Sequence, residues 1–473
     1  MTITSLAFAA FVVATLAAYY LAPRGTQILI LLAASYIFCG LLGWQFLAVL
    51  LLVTLTGYAA SFGVTSGQRG RKLWLTMGIL VQLGALAFFK YSDYFLPRAL
   101  KLLHLLHLPS PEIGLELLLP VGLSFYTLQA IAYLVDIYQG KSQPAASPLD
   151  FALYMAYFPR LVAGPIERAG TFMSQLHKER RIDNAAVARA LSLIVIGLVR
   201  KTLVADVLRP LTNYQAFRHP AEFSGPQLIA TLLAFAIYVY NDFAGYTSLV
   251  RGVSALFGIE LTSNFNLPFF SRSFTELWTR WHISLSNWLR DYIYYPLSRA
   301  FLRRDPSSRG FATILFPPLV ALAASGLWHG ASWNMLAWGA VNGLFLAGER
   351  MITLARPAVP ADRQPQWRQW LGRGVVLVLV LMALVPFQAS LPHALEYWRG
   401  MLLWTSTALP DARLLVPVAL GSAVDWIQFL GREELPFLKW PRWLQGLLLA
   451  LVVLAIFLIT RVDAQGPFVY QEF

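Results

Sequence analysis

Two of the seven histidines in this sequence are placed where an imidazole could do acid–base chemistry. His329 lies midway through residues 310–348, which contain no Asp, Glu, Lys or Arg. An ionisable side chain so far from other charges is costly in lipid and is a functional candidate. Burial favours the neutral imidazole, which can accept a proton from a hydroxyl group. Packing between helices and a place at the apex of a hairpin remain alternatives for His329.

His282 lies in a mixed polar and aromatic segment, Trp278-Thr-Arg-Trp-His-Ile-Ser-Leu-Ser-Asn-Trp-Leu-Arg-Asp-Tyr292. At helical spacing this segment has an aromatic stripe, a polar stripe and a third line. The three lines are Trp278, Trp281, Leu285 and Trp288; Arg280, Ser284, Asn287 and Asp291; and His282, Ser286 and Arg290. The pattern is typical of an amphipathic helix on the membrane surface. It leaves open that His282 and the polar stripe line a cavity.

A carboxylate lies at the end of an apolar run that begins near residue 226, in Tyr240-Asn-Asp-Phe-Ala-Gly-Tyr246. If the run is a membrane span, Asp242 lies near a membrane face. A carboxylate there caps a helix or contacts lipid headgroups. The alternative is that Asn241 and Asp242 belong to a polar site.

The usual catalytic signatures of soluble enzymes are missing. The sequence has no HExxH zinc pair, no GxSxG nucleophile elbow and no GxGxxG fingerprint. Gly140-Lys141-Ser142 resembles the end of a phosphate-binding loop, but Val135 occupies the position of its first glycine. The single cysteine, Cys39, excludes a disulfide framework and a zinc site of paired thiolates. Neither an ATPase nor a metal centre is therefore expected.

The elements that position these residues must be membrane helices. The chain is 57% hydrophobic and 13% charged, whereas a soluble domain has roughly 25% charged residues. The net charge is +13, but the basic residues form short clusters between apolar runs, which indicates positive-inside topology rather than nucleic-acid binding. A span needs about 20 apolar residues, so the sequence predicts about eleven or twelve crossings. The expected fold class is an all-α, polytopic integral membrane protein.

Three segments depart from simple spans. Residues 151–168 are apolar but interrupted by prolines and glycines, which predicts a re-entrant element shielded by protein. Residues 262–297 have the composition of an interfacial segment. As one helix, residues 310–348 would be about 58 Å long, about twice the thickness of the hydrocarbon core. They must therefore break, and Pro317-Pro318 and the glycines at 326 and 330 offer places to do so.

Together these segments resemble the membrane-bound O-acyltransferase family, specifically its bacterial branch of alginate O-acetylation-like proteins. The matching motifs occur in family order across about residues 120–330, and a terminal aromatic motif closes the chain. They are Pro120-Val-Gly-Leu-Ser-Phe-Tyr-Thr127, Tyr157-Phe-Pro-Arg-Leu-Val-Ala-Gly-Pro-Ile166, Asn241-Asp-Phe-Ala-Gly-Tyr246, Phe274-Thr-Glu-Leu-Trp-Thr-Arg-Trp-His-Ile-Ser-Leu-Ser286, Trp288-Leu-Arg-Asp-Tyr292, Leu327-Trp-His-Gly330 and Phe468-Val-Tyr-Gln-Glu-Phe473.

The resemblance implies a fold and a set of site residues. It implies one membrane-embedded acyltransferase domain over residues 1–473, with helices around a central tunnel. His329 matches the family's catalytic histidine, and His282 matches its second active-site histidine. The motifs also place further residues at the substrate or tunnel wall: Asn241, Asp242, Arg280, Trp281, Ser286, Asn287, Arg290 and Trp328.

The resemblance further implies a reaction and its participants. Acyl-CoA, most simply acetyl-CoA, enters as a donor substrate from the cytoplasm, and no tightly bound cofactor or metal is expected. Tyr470 is a candidate acyl carrier. The implied partners are an extracytoplasmic SGNH-type acetyltransferase and polysaccharide biosynthesis and export proteins at the bacterial inner membrane, where the chain is multi-pass.

Some positions depart from the family pattern, and other functions stay open. Ala244 replaces a serine, Thr247-Ser248 replaces a more usual serine–aspartate pair, and Asn287 replaces a threonine. These changes leave both histidines in place but put the identity of the polysaccharide in doubt. The alternative class is a transporter or flippase of a polysaccharide export system, where broken helices are also typical. A scaffold that tolerates substitution of both histidines is the third hypothesis.

Overall fold

In the computed structural model of the 473-residue chain, the described residues form helices joined by turns and loops, with no strand among them. It describes residues 1–65, 68–106, 119–179, 183–304, 306, 310–355, 364–403 and 408–460. The chain divides into two compact units, residues 1–183 with 253–262, and residues 184–252 with 263–473. The single membrane-embedded domain and the central tunnel stay predictions.

The first unit contains eight complete α-helices in its described residues. They are α1 (Leu6–Leu21), α2 (Gln27–Leu42), α3 (Trp44–Thr65), α4 (Gln68–Lys90), α5 (Ser92–Leu105), α6 (Leu123–Tyr138), α7 (Pro148–Ala156) and α8 (Ala169–Leu176).

The second unit carries the candidate site. Its described α-helices are α9 (Asn184–Leu198), α10 (Asp206–Leu211), α11 (Gln215–Arg218), α12 (Gly225–Leu256), α13 (Phe274–Arg280), α14 (Ile283–Leu289), α15 (Tyr295–Arg304), α16 (Phe311–His329), α17 (Trp333–Ala355), α18 (Gln366–Gln388), α19 (Leu391–Leu403), α20 (Leu415–Gly431) and α21 (Arg442–Thr460). The last turn of α12 falls in the first unit. π-Helical segments at Val199–Ala205 and Arg290–Tyr294 continue α9 and α14.

Seven of the described helices, namely α2, α3, α4, α12, α16, α18 and α20, are long and apolar enough to cross a membrane. Two shorter apolar helices are α1 and the segment Arg442–Leu458 of α21. The predicted polytopic helical membrane fold is therefore confirmed. Within the described residues the number is below the roughly eleven or twelve crossings predicted. One reason is that the apolar run near 187–206 contains the buried charges of Arg200 and Lys201.

The interrupted segment at 151–168 has the broken structure that its sequence predicts. Helix α7 ends at Ala156, and the chain is then non-helical but almost entirely buried until α8 begins. Gly122, at the start of α6, has φ +79°, and a Cβ there would lie 2.0 Å from the carbonyl oxygen of Leu161. Only glycine allows this approach, because the obstructing atom belongs to the backbone. The buried loop is thus fixed against α6.

The long uncharged run at 310–348 breaks directly after His329, as its length predicts. Helix α16 ends at His329, and α17 begins at Trp333, which leaves a short turn. The prolines at 317 and 318 lie inside α16 and do not end it. The two helices touch backbone to backbone, since a Cβ at Gly326 would lie 2.1 Å from the carbonyl oxygen of Met335. This close hairpin fixes the position of His329.

Candidate active site

His329 is enclosed by aromatic rings at the end of α16. The residue is 5% exposed. Three rings meet its imidazole edge-to-face, with centroid distances of 4.9 Å to Trp328, 5.4 Å to Trp338 and 5.5 Å to Phe387. Trp338 and Phe387 also contact each other at 5.4 Å. These rings come from α16, α17 and α18, so three helices build one apolar enclosure around the imidazole.

His282 lies at a break between two short helices. Its backbone is left-handed, with φ 41° and ψ 54°, so α13 ends at Arg280 and α14 begins at Ile283. The prediction of one continuous helix with three stripes is therefore wrong across this point. The physical reason is Asn264, whose backbone oxygen accepts from the Ile283 N–H at 2.9 Å and whose Oδ1 accepts from the Ser284 N–H at 3.2 Å. These bonds satisfy the first amides of α14 and let the chain turn.

The two histidines meet on a common ring. His282 is 2% exposed, and its imidazole lies 4.7 Å from the ring of Phe243 and 6.1 Å from that of Trp328. Trp328 therefore contacts both His282 and His329. Burial lowers the pKa of His282 to about 3, and this residue lies outside the helices that could span the membrane. Its imidazole is therefore neutral at physiological pH.

Asn241 and Asp242 lie within α12 rather than at its end. The interpretation of Asp242 as a cap or headgroup contact is wrong, because α12 continues to Leu256 and Asp242 is fully buried. Its Oδ1 accepts from the Lys201 ammonium at 2.7 Å. The Oδ1 of Asn241 accepts from the Arg200 guanidinium at 2.9 Å. Both side chains thus stabilise buried cations of the π-helical segment.

Sequence reasoning missed this buried charge network. The Arg200 guanidinium also donates to Asp425 Oδ1 at 2.5 Å, and the Tyr240 hydroxyl donates to the same oxygen at 3.0 Å. Lys201 donates in addition to Asp206 Oδ1 at 2.7 Å. The available signal was the pair of cations inside an apolar run, because such residues almost always face a protein interior and pair there.

A cavity of about 680 Å³ opens beside this network. We call it the arginine cavity, because Arg200, Arg280 and Arg432 line it. Its wall also includes the carboxylates of Glu433 and Glu434 and the apolar side chains of Phe265 and Ile283. Ile283 follows His282 directly in the chain, so the cavity wall comes within one residue of the histidine that shares Trp328 with His329, although neither imidazole lines the cavity.

The remaining predicted residues that the structure describes are not among those that line this cavity. Trp281 packs against Phe265 at 5.3 Å. Ser286 Oγ donates to the backbone oxygen of Trp281 at 2.9 Å, Asn287 is half-buried, and Arg290 is exposed and pairs with Asp291 at 3.2 Å. Tyr470 lies outside the described residues. The structure thus brings His282, Trp328 and His329 together and places Arg280 in the cavity wall, whereas Arg290 is on the surface.

A helical multi-pass membrane protein with an enclosed pair of imidazoles is the class that this fold and site define. Residues 144–386 match the sequence profile of the membrane-bound O-acyltransferase family. The chain is 32% identical to the probable alginate O-acetylase of Azotobacter vinelandii, over 94% of this chain and 82% of that protein. It is 31% identical to the peptidoglycan O-acetyltransferase of Helicobacter pylori, over 70% of this chain and 65% of that protein. The chain therefore belongs to the membrane-bound O-acyltransferase family.

More distant similarity extends to a different transferred group. The teichoic acid D-alanyltransferase of Streptococcus thermophilus is 26% identical, over 57% of this chain and 68% of that protein. The relatives differ in their named acceptors, while the family match to this chain extends through the segments that carry both histidines. The family assignment thus identifies the chain as an O-acyltransferase but does not determine which acceptor it uses.

Proposed function

We propose that this protein takes a short acyl group, acetyl, from cytoplasmic acetyl-CoA and passes it across the bacterial inner membrane for O-acetylation of an exported polysaccharide. One observation carries the proposal: two buried imidazoles share Trp328, and Ile283, the residue after one of them, lines a cavity together with three arginines. The names of the relatives, which refer to alginate and peptidoglycan, support a polysaccharide acceptor.

His329 is the general base of the proposed transfer. The acceptor hydroxyl attacks the thioester carbonyl, and its proton goes to the neutral imidazole. The C–S bond then breaks, and the thiolate takes the proton from the imidazolium to leave as CoA thiol. The enclosing rings exclude water that would hydrolyse the thioester. Holding both reactants in line supplies up to about 7–11 kcal/mol of the barrier reduction.

The arginine cavity is the proposed site for the phosphate groups of the donor. Arg432 has no carboxylate partner in the described part of the chain, because the neighbouring Glu433 and Glu434 pair with Lys439 and Arg251. A guanidinium without a carboxylate partner suits a phosphate. Arg432 and Lys439 precede the apolar helix α21, and Arg442 is its first residue. By the positive-inside rule, these basic residues support a cytoplasmic location for this side of the protein.

Tyr470 is the proposed acyl carrier. Its hydroxyl receives the acetyl group as a phenolic ester and presents it to an extracytoplasmic SGNH-type acetyltransferase that works with polysaccharide export proteins. Mass spectrometry of the C-terminal peptide during turnover should find an acetyl adduct that Tyr470→Phe lacks. A C-terminal peptide that stays unmodified during turnover would remove the carrier role and leave direct transfer to the acceptor.

The central experiment uses the purified full chain in lipid with radiolabelled acetyl-CoA. Wild type should release CoA thiol and label the acceptor or the protein, and His329→Ala should do neither while it inserts normally. His393→Ala is the matched control, because that histidine contacts Ser390 and His219 and takes no part in the enclosure of His329. If His329→Ala turns over as fast as wild type at equal abundance, the proposal is overturned. It is also overturned if the wild-type protein releases no CoA thiol, which is the result expected of a transporter.

A further inference from the structure

The side chain of Asn264 is held rigidly beside His282. Asn264 is completely buried. Its backbone oxygen and its Oδ1 accept from the consecutive amides of Ile283 and Ser284, at 2.9 Å and 3.2 Å. An amide side chain has one accepting and one donating end. Because Oδ1 accepts from α14, the orientation of the amide is determined, and Nδ2 faces the other way.

The donating end of this amide has no hydrogen-bond partner among the residues that the structure describes. A buried donor without a partner destabilises the folded protein, and buried polar groups are rarely left so. An apolar side chain of similar size would avoid that cost. The amide therefore indicates a hydrogen-bond acceptor that is not part of the chain.

The position of Asn264 indicates where that acceptor lies. The residues around it, Ser263, Phe265 and Asn266, line the arginine cavity, and so does Ile283, which receives its backbone bond. His282 lies between the two helices that this contact joins. Asn264 does not itself line the cavity, but it lies between residues that do and is bonded to the residues that follow His282. This is where we place the thioester of the proposed donor.

We propose that Asn264 Nδ2 donates a hydrogen bond to the carbonyl oxygen of the acyl thioester and stabilises the negative charge that this oxygen gains during transfer. The inference rests on the proposed function. When the acceptor oxygen bonds to the carbonyl carbon, the C=O electron pair moves to the oxygen that Nδ2 holds. This electron pair re-forms the C=O bond as the C–S bond breaks, and the leaving thiolate takes the proton that the imidazole had removed. A donor fixed before the reaction needs no reorganisation during it.

Asn264→Asp separates this role from a structural one. The carboxylate keeps an oxygen to accept from the Ser284 N–H, but the donating group is lost. We expect kcat to fall about 10²- to 10³-fold, with the KM for acetyl-CoA close to wild type. The melting temperature should fall as well, as in the buried control variant below, because a buried carboxylate without a cation destabilises the fold. Asn264→Ala removes both ends and should lower kcat and the melting temperature together. Asn342→Asp is the matched control, because this buried amide donates to the Trp338 backbone oxygen within α17; it should leave kcat near wild type.

Two further measurements test the inference without relying only on the kcat of Asn264→Asp at one pH. Protonation of the carboxylate introduced by Asn264→Asp restores a donor, so kcat of this variant should rise as pH falls, relative to wild type. In wild type, the infrared carbonyl stretch of a bound, ¹³C-labelled ketone analogue of acetyl-CoA should be lower than in an apolar solvent. A stretch equal to that in the apolar solvent would overturn the inference, as would wild-type kcat in Asn264→Asp. Failure of wild type to release thiol would instead refute the proposed function.

Discussion

Trp328 packs edge-on against His282, with ring centroids 6.1 Å apart and planes inclined by 74°. The same indole lies 4.9 Å from the ring of His329, the next residue in α16. One side chain therefore fixes the relative position of two imidazoles that come from different parts of the sequence. Any displacement of α16 changes the contacts of Trp328 with both imidazoles. The geometry of the site therefore depends on how α16 packs, even far from the histidines.

The stability of the protein should depend on pH through His282. Burial lowers its folded-state pKa to about 3, while the unfolded value is about 6.5. Below pH 6.5 the unfolded chain binds a proton that the folded chain does not, so stability present above that pH is lost as pH falls. Between pH 7 and pH 5 the expected loss is about 2 kcal/mol. Denaturant unfolding of the reconstituted protein at several pH values measures it.

His282→Asn is the control for this pH dependence. Asparagine does not titrate, so the variant should show a flatter profile between pH 7 and pH 4 than wild type. Parallel profiles for the two proteins would mean that His282 gains its proton while folded, contrary to its burial.

Gly339 should tolerate no side chain, because α16 and α17 meet there. A Cβ at this position would lie 2.2 Å from the carbonyl oxygen of Leu322 and 2.8 Å from its carbon. Backbone atoms cannot rotate away, so Gly339→Ala must open the hairpin at a cost of about 1–3 kcal/mol. We expect a lower melting temperature and reduced kcat, since His329 ends the first helix of the same hairpin.

Gly348→Ala is the matched control on the same helix. No atom lies within 4 Å of a Cβ built there, and alanine favours the helix by about 0.5–1 kcal/mol. Its melting temperature should equal or exceed that of wild type. Equal effects of the two substitutions would show that helix propensity, and not the backbone contact, determines the outcome.

The break after His329 was predictable because it depends on local sequence. An uncharged run of about twice the bilayer thickness has to turn, and Gly330 stands directly after the histidine. Burial of His329 also follows from the apolar and aromatic residues beside it, whereas the pattern around His282 favoured a helix on the membrane surface. These features of His329 can be inferred from the hydrophobic pattern of the sequence and from the free-energy cost of placing a charge in lipid.

The break at His282 was not predictable, because its cause is remote. Asn264 supplies the hydrogen bonds that end one helix and start the next, 20 residues away along the chain. A prediction from hydrophobic periodicity cannot include a hydrogen-bond partner so far away in the sequence, so it continues the helix through His282. The same applies to Arg200 and Asp425, which are 225 positions apart. A single sequence shows that a buried cation needs a partner, but not which carboxylate provides it.

Asp425 should be essential for stability because it balances Arg200. The side chains of the pair are only 4% and 5% exposed. Asp425→Ala leaves a buried guanidinium without its carboxylate, which costs about 3–5 kcal/mol. We expect a clear drop of the melting temperature in detergent. Asp411→Ala, which removes an ion pair with Arg413 on the surface, should leave the melting temperature unchanged; a comparable drop there would contradict the role of burial.

Phe387 should limit the length of the transferred acyl chain, if the proposed function holds. It contacts the imidazole of His329 at 5.5 Å and Trp338 at 5.4 Å, so these rings leave no room on their side for further methylene groups. Phe387→Ala removes one ring. The ratio of kcat/KM for butyryl-CoA to that for acetyl-CoA should rise at least about 10-fold, as expected for fitting extra methylene groups. Thiol release with a series of acyl-CoA donors measures this ratio.

Phe274→Ala controls for the loss of a buried aromatic ring. Phe274 is 6% exposed, against 7% for Phe387, and it packs on α17 through Phe345 at 4.7 Å. Its loss should lower stability without changing the preference for acetyl-CoA, because the enclosure of His329 stays complete. If both variants keep the wild-type ratio while they still transfer acetyl groups, the ring of Phe387 does not bound the acyl chain. A rise in the ratio for Phe387→Ala alone would locate the limit at the histidine itself.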